Sequence, residues 1–385
     1  MDGSRICRYS SPVRLIFGPG ALQELKGEIG PKEKPLITTD RGIARSGVLK
    51  KVTDVLDAAA IPYEVFDGVE PDPTVSVIEE ASKVFRSRAC TAVIGLGGGS
   101  SIDAAKAVCV GGTQEGYLLD YALGGKPLAG DIPPFYAIPT TVGTGSEVTA
   151  VAVVSDEKNK IKTGIRSPKL AAKAAILDPL LVSSLPPKVV AETAADALSH
   201  ATEAYVGQGS NAISDALAIA AIRMISKDAV NLVKNSANVE AGGNMLIASC
   251  MAGMAFDNAG VGLVHAMAHP LGAYYHIPHG LACALYLPGV MEFNAAARPE
   301  KLASLAHAMG AAITGLKAEE AAERGVTAVQ ALFKEMGLPG SLSAMGITFR
   351  LEPKMVEDVL AFPPGKNNPR PFDAGEVTRL FEAVA

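Results

Sequence analysis

The stretch TAVIGLGGGSSIDAAKAVCV, residues 91–110, constrains the fold more than any other part of the chain. TAVIGL reads as a buried strand and SIDAAKAVCV as a helix, so the backbone must turn between them across Gly97, Gly98 and Gly99. Glycines there let the backbone come close to a bound group. The amides and dipole at the start of the helix favour negative charge, and the Ser100 and Ser101 hydroxyls can donate to it. Asp103 falls in what reads as the first turn of that helix. The turn is an anion cradle, but it lacks the G-x-G-x-x-G fingerprint and by itself is a weak signal.

The surrounding sequence repeats the strand-to-helix alternation. VRLIF (13–17), KPLITT (34–39), PYEVF (62–66), TAVIGL (91–96) and FYAIP (135–139) read as strands. GALQELKGEIG, RSGVLKKVTDVLDAAA, TVSVIEEASKVFRSR and SIDAAKAVCV read as the helices between them. That order predicts a parallel sheet covered on both faces, with ligands at the carboxyl ends of its strands, after Thr39, Phe66, Leu96 and Pro139. TAVAVVS and AAILD add strand-like pieces before residue 178. Beyond DPLLVSSLPPK, alanine, leucine and methionine dominate at helical spacing, so we expect an α/β domain over residues 1–182 and an all-helical domain over 183–385. The methionines are expected to pack the helices, not to bind ligands.

Two features reinforce the anion site. IPTTVGTGSEVT follows a strand and sets Thr140, Thr141, Thr144, Gly145 and Ser146 at the same sheet edge, where hydroxyls suit phosphate or ribose. Asp40 closes KPLITTD, where a carboxylate can accept from both ribose hydroxyls and repel a 2'-phosphate, favouring NAD over NADP. The competing role for Asp40 is the cap of the helix that follows, and the sequence leaves the two open.

The second half carries a different signal. Four of the six histidines, His265, His269, His276 and His279, lie in GLVHAMAHPLGAYYHIPHG. His265 and His269 stand four apart in NAGVGLVHAMAHPLG, which reads as a helix that Pro270 bends, and so share a face. Pro278 and Gly280 read as a turn that brings His279 back. AETAADALSHATEAYV sets Asp196 and His200 at the same spacing. A lone histidine on an apolar helix is ordinarily a hydrogen-bonded core residue, but this gathering makes a first shell for a divalent cation. Nitrogen and oxygen donors suit zinc or iron(II) better than magnesium or calcium. The spacing does not decide between His269 and His279 as the third imidazole. HAMAH lacks the glutamate of the zinc-protease helix, which argues against protease chemistry. His307 stands alone and reads as structural or surface.

Composition excludes several classes. A net charge of -5 and a pI near 5.8 give no electrostatic footprint for nucleic acid or an anionic membrane. No uninterrupted apolar run approaches the ~18 residues of a membrane helix, and the N-terminal stretch has no secretory signature. Five scattered cysteines read as reduced thiols of a cytoplasmic protein.

GLGGGSSID, IPTTVGTGSEVT, AADALSHATEAY and GLVHAMAHPLGAYYHIPHG occur in the order and spacing of the iron-containing (group III) alcohol dehydrogenases, and the chain resembles that family over essentially its whole length. The resemblance implies a Rossmann-like N-terminal domain with a parallel sheet, an all-α C-terminal metal-binding domain in a dehydroquinate synthase-like architecture, and an active site between them. It implies metal ligands at Asp196, His200, His265 and His279, with His269 close to the metal without being a primary ligand; from that place His269 is the candidate proton relay. It implies NAD contacts at Asp40, Asp72, Gly97, Gly98, Gly99, Ser100, Asp103, Thr140, Thr141, Thr144 and Lys162, with iron(II) as the metal and zinc as its alternative. The implied reaction is NAD-linked interconversion of a small primary alcohol or diol with its aldehyde, in a homo-oligomer that is dimeric by analogy. Ser101 and Val151 depart from the proline and polar residue found in relatives, Asp72 stands where asparagine is frequent, and His276 is read as pocket lining. Lys366 and Asn367 fall in PPGKNNPRPF, which resembles the family's segment near the substrate entrance; a polar surface turn is the other reading. Glycerol dehydrogenase-like or dehydroquinate synthase-like chemistry, and a silent metal- or nucleotide-binding module, remain as alternatives.

Overall fold

The computed structural model describes residues 6–159 and 161–385. Residues 1–5 of the N-terminal stretch, and Lys160 of KIKTGI, lie outside the described residues. Eight strands are described: β1 (Arg14–Phe17), β2 (Pro35–Thr38), β3 (Glu64–Phe66), β4 (Ala92–Gly97), β5 (Phe135–Pro139), β6 (Val151–Asp156), β7 (Ile161–Arg166) and β8 (Ala174–Leu177). Six form a sheet in the order β1-β8-β5-β4-β2-β3, and every pair in it is parallel. The helices of this part are α1 (Leu25–Glu28), α2 (Arg41–Arg45), α3 (Val48–Ala58), α4 (Val75–Ser87) and α5 (Gly99–Gly111).

The four central strands are buried along their whole length, which is why they read as mainly apolar runs without polar alternation. Leu36, Ile37, Ile94 and Leu96 are completely inaccessible, and each such side chain contributes about 1.5–3 kcal/mol relative to exposure. Edge strands β1 and β3 are only partly covered.

TAVAVVS forms a strand as expected, and β6 stands outside the parallel sheet. It pairs antiparallel with β7 in a separate two-stranded hairpin, Val151 opposite Arg166 through Asp156 opposite Ile161. The alternating burial along β6 marks a one-sided strand, and α5 covers its buried side.

The chain divides into two compact units, Ser11–Thr141 with Gly145–Ser184, and Leu185–Ala385 with Val142–Thr144 and the segment ending at Ser10. The second unit contains α6 (Pro187–Val206), α7 (Ala212–Lys234), α8 (Val239–Ala259), α9 (Leu263–Tyr275), α10 (His279–Ala295), α11 (Pro299–Ala308), α12 (Ala318–Glu335), α13 (Pro353–Ala361) and α14 (Ala374–Ala383). No strand occurs in it among the described residues. By length and composition α8 could cross a membrane, yet much of it is buried and the helix packs on α6 and α7.

Two local readings of the histidine region also change. NAGVGLVHAMAHPLG is not one helix: α8 stops at Ala259, Gly260–Gly262 breaks the backbone, and α9 starts at Leu263 and continues through Pro270. His279 is not in a turn either, since it is the first residue of α10, directly after Pro278. The proline removes only a donor that a helix start leaves unused, so it begins the helix at no cost.

Candidate metal centre and glycine turn

Asp196, His200 and Glu203 occupy successive turns of one face of α6 and are all buried. His265 lies in the first turn of α9, and His279 opens α10. Gly280 lets α10 reach α6: a β-carbon there would stand 2.1 Å from the Glu192 carbonyl oxygen and 3.3 Å from Asp196 Cβ. Backbone contact that close brings His279 Nε2 to 3.6 Å from Asp196 Oδ1, and His265 Nε2 lies 3.8 Å from the same oxygen. His200 Nδ1 is 3.9 Å from it, with its ring stacked between those of Phe256 (4.2 Å) and His265 (4.5 Å).

Glu203 accounts for the aim of His265. Its Oε1 accepts the Val264 amide at 2.6 Å and its Oε2 stands 2.5 Å from His265 Nδ1. A carboxylate accepts, so Nδ1 carries the hydrogen and Nε2 turns toward Asp196. Burial pushes His265 down, but the charge and hydrogen bond of Glu203 outweigh it and leave the group raised. Burial, with His265 nearby, holds His200 well below its ordinary value. Burial pushes Asp196 up to about 7 against the opposing pull of His265.

Asp196 Oδ1, His200 Nδ1 and His265 Nε2 are buried and have no hydrogen-bond partner. Three orphaned donor atoms aimed at one another are costly unless a cation completes them, so these residues fit a transition metal. The mutually closest set is Asp196, His265, His279 and Cys283, whose donor atoms all lie within 4.8 Å of one another. His269 is half-buried, its ring 5.8 Å from that of His279 and 4.6 Å from that of Phe362. His276 departs from the expectation of pocket lining: it closes α9 with a left-handed φ of 54°, and its side chain is exposed. His307 is exposed on α11. Asn367 is anchored, accepting from the Gly209 amide at 2.7 Å and donating to the Val261 carbonyl at 3.1 Å, while Lys366 is exposed.

In the sheet unit, Gly97 ends β4 with a φ of 145°, Gly98 caps α5, and Gly99 begins it. A side chain at Gly97 would be strained at that φ and would meet Ser101 Oγ at 2.6 Å and Asp40 Oδ2 at 3.6 Å. Asp40 therefore has two engagements. Oδ1 caps α2 by accepting the Ile43 amide at 2.9 Å, and Oδ2 lies beside the glycine turn. Asp72, in a left-handed conformation that aspartate tolerates, donates its amide to Ser100 Oγ (3.3 Å) and pairs with Lys162 at 2.6 Å. Thr39 and Thr140 present buried, unpartnered hydroxyls at the carboxyl ends of β2 and β5, and Thr141 lies against Gly98. A polar ligand along this edge would satisfy those hydroxyls.

Asp103 sits past the first turn of α5, and both its oxygens are engaged: Ser146 Oγ donates to one at 3.1 Å and the Val153 amide to the other at 3.0 Å. Lys106, completely buried, stands 3.6 Å from it and donates to Thr149 Oγ1 and the Val151 carbonyl. Asp103 thus ties the glycine turn's helix to the β6–β7 hairpin. Thr144 groups with the helical unit, unlike Thr140 and Thr141. Sequence reasoning missed Glu203, Cys283 and Lys106. Their signal was helical spacing, Asp196–His200–Glu203, His279–Cys283 and Asp103–Lys106, within motifs already read for other residues.

A parallel-sheet unit with a glycine turn and a helical unit with a carboxylate–imidazole shell define a metal-dependent oxidoreductase. The model described as iron-containing alcohol dehydrogenase matches residues 12–179, and that of the Fe-containing alcohol dehydrogenase family, C-terminal, matches residues 190–385. The chain belongs to the iron-containing alcohol dehydrogenase family. It is 39% identical over 383 residues to 1,3-propanediol dehydrogenase of Klebsiella pneumoniae, covering 98% of each chain. It is 37% identical to lactaldehyde reductase of Escherichia coli (strain K12), covering 96% of this chain and 97% of that one. Among solved structures, a 1,3-propanediol oxidoreductase superposes with a TM-score of 0.95 at 38% identity, covering 99% of this chain and 100% of that one. Sulfoacetaldehyde reductase from Bifidobacterium kashiwanohense, solved in complex with NAD+, superposes with a TM-score of 0.89 at 29% identity, covering 99% of each. This company fits alcohol and diol chemistry better than dehydroquinate synthase-like chemistry or a silent binding module.

Proposed function

We propose that this protein interconverts a small primary alcohol or diol with its aldehyde, using NAD and a divalent metal, iron(II) or zinc. The observation that carries this reading is the convergence of the unpartnered atoms Asp196 Oδ1, His200 Nδ1 and His265 Nε2. With His279 they make the metal shell. A divalent cation there supplies Lewis acidity toward a hydroxyl or carbonyl oxygen, and the nicotinamide supplies the two-electron acceptor or donor.

The chain's own residues do the rest. Glu203 fixes the ring of His265. Phe256, stacked on His200, shields that imidazole from water, and Phe362 packs with its ring tilted against His269. His269 takes the hydroxyl proton on its imidazole and passes it to solvent, as its half-buried position allows. Gly97, Gly98, Gly99 and Ser100 receive the pyrophosphate, Thr140, Thr141 and Thr144 supply hydroxyls, and Asp40 accepts from the adenosine ribose. Asp72 and Lys162 close the side of the glycine turn, while Asp103 acts by holding α5 in place.

Support for cytoplasmic residence is that the five cysteines are thiols and form no disulfide among the described residues. Homodimerisation draws support from edge strand β1, whose Phe17 is 62% exposed. The reading is tested by following NADH absorbance across a panel of short alcohols and diols, with metal analysis of anaerobically purified protein. We expect turnover with small uncharged alcohols, and a His265→Ala protein without metal or turnover that still binds NADH. A His265→Ala protein with full metal content and activity would overturn it.

A further inference from the structure

We propose that Cys283 is a sulfur donor to the metal held by Asp196, His265 and His279, making the centre more selective for soft cations than a purely nitrogen and oxygen shell. The inference rests on the metal reading above and concerns which atoms complete it. Cys283 lies four residues after His279 on α10, so the two project from one face, and the approach of α10 to α6 at Gly280 carries both to Asp196.

A buried cysteine is ordinarily a small core hydrophobe. This one has polar company: its sulfur is 3.7 Å from His279 Nε2 and within 4.8 Å of the donor atoms of Asp196 and His265, of which Asp196 Oδ1 and His265 Nε2 are buried and unpartnered. Donors at tetrahedral corners, with bonds of about 2.0–2.1 Å to nitrogen and oxygen and about 2.3 Å to sulfur, stand about 3.3–3.6 Å apart. The edges here are 3.6 Å from Asp196 to His279, 3.8 Å from Asp196 to His265, and 3.7 Å from His279 to Cys283. Those three edges need only a few tenths of an ångström of contraction, and the other three lie within 4.8 Å. His200 Nδ1, 3.9 Å from Asp196 Oδ1, keeps its place in the shell, and the sulfur is a donor in addition to it.

The binding step balances without a redox partner. The S–H bond breaks, its proton leaves to the buffer, and the sulfur lone pair forms the bond to the cation. Sulfur is a softer donor than imidazole or carboxylate, so it raises affinity for zinc and cobalt(II) relative to iron(II).

The test loads the full-length apoprotein with cobalt(II) and reads two regions of its spectrum. Visible d–d bands report a cation bound in the shell, and a near-ultraviolet charge-transfer band reports a cobalt–sulfur bond. Wild type is expected to show both. Cys283→Ser and Cys283→Ala are expected to keep the visible bands, lose the near-ultraviolet band, and lower the zinc-to-iron(II) affinity ratio by about tenfold. If wild type shows the visible bands without the near-ultraviolet band, the sulfur is not a donor and the metal reading stands. If it shows neither, both fail. Should the variants not fold, the wild-type spectrum alone decides.

Discussion

The carboxylate of Glu203 stands 2.5 Å from His265 Nδ1 while also accepting the Val264 amide, so one side chain both caps α9 and aims an imidazole. Replacing Glu203 with Gln keeps the shape and removes the charge. We expect metal affinity to fall about 10–100-fold, the range for a residue that orients a ligand. Chelator competition on wild type and Glu203→Gln measures this, and equal affinities would show that Glu203 only caps the helix.

Gly280 meets Glu192 where no β-carbon fits. In Gly280→Ala either α10 moves off α6 or the helix starts later. We expect a destabilisation of about 1–3 kcal/mol in thermal melts, accompanied by weaker metal binding because His279 moves with its helix. A variant that melts and binds metal like wild type would mean that the contact is slack.

Glu147 lies beyond the glycine turn, buried, and burial pushes its carboxyl up to about 7 from an ordinary 4.5, with Lys106 opposing. The unfolded chain ionises this group first, so its stabilising effect is full below about pH 4.5 and disappears as pH rises through about 7. The loss is on the order of 3 kcal/mol. Denaturant titrations of metal-saturated protein should show wild type losing that much relative to Glu147→Gln between pH 4.5 and pH 8. Parallel profiles would refute the assignment.

Asp40 divides its oxygens between the cap of α2 and the glycine turn. Asn is as good a cap as Asp, so Asp40→Asn should leave the melting temperature nearly unchanged while removing the charge that repels a 2'-phosphate. We expect the ratio of kcat/KM for NADP to that for NAD to rise at least about tenfold, given that a charge contact of this kind is worth about 1–3 kcal/mol. An unchanged ratio would mean that Asp40 serves α2 alone.

The elements that could be read in advance are those whose signal is local. The buried central strands announced themselves as apolar runs, and α5 began at the last of its three glycines, because burial on both faces and a tight strand-to-helix turn leave few other choices of residue. Asp196 and His200 shared a helical face, as their spacing requires. The hairpin β6–β7 was not legible, since period-2 burial gives a strand but not its partner. His276 belonged to the same dense histidine stretch as His265, yet it ends a helix and points outward.

Sequence by itself determined the elements and their chemistry: parallel strands, a glycine turn, and imidazoles and a carboxylate spaced to share faces, because backbone sterics and helical period act over a few residues. Tertiary structure decided which of those side chains meet. Asp196, His265, His279 and Cys283 come from three helices, and their meeting depends on one glycine where α10 touches α6 and one glutamate that turns His265. Contacts between residues far apart in the chain arise from packing, and no local period encodes them.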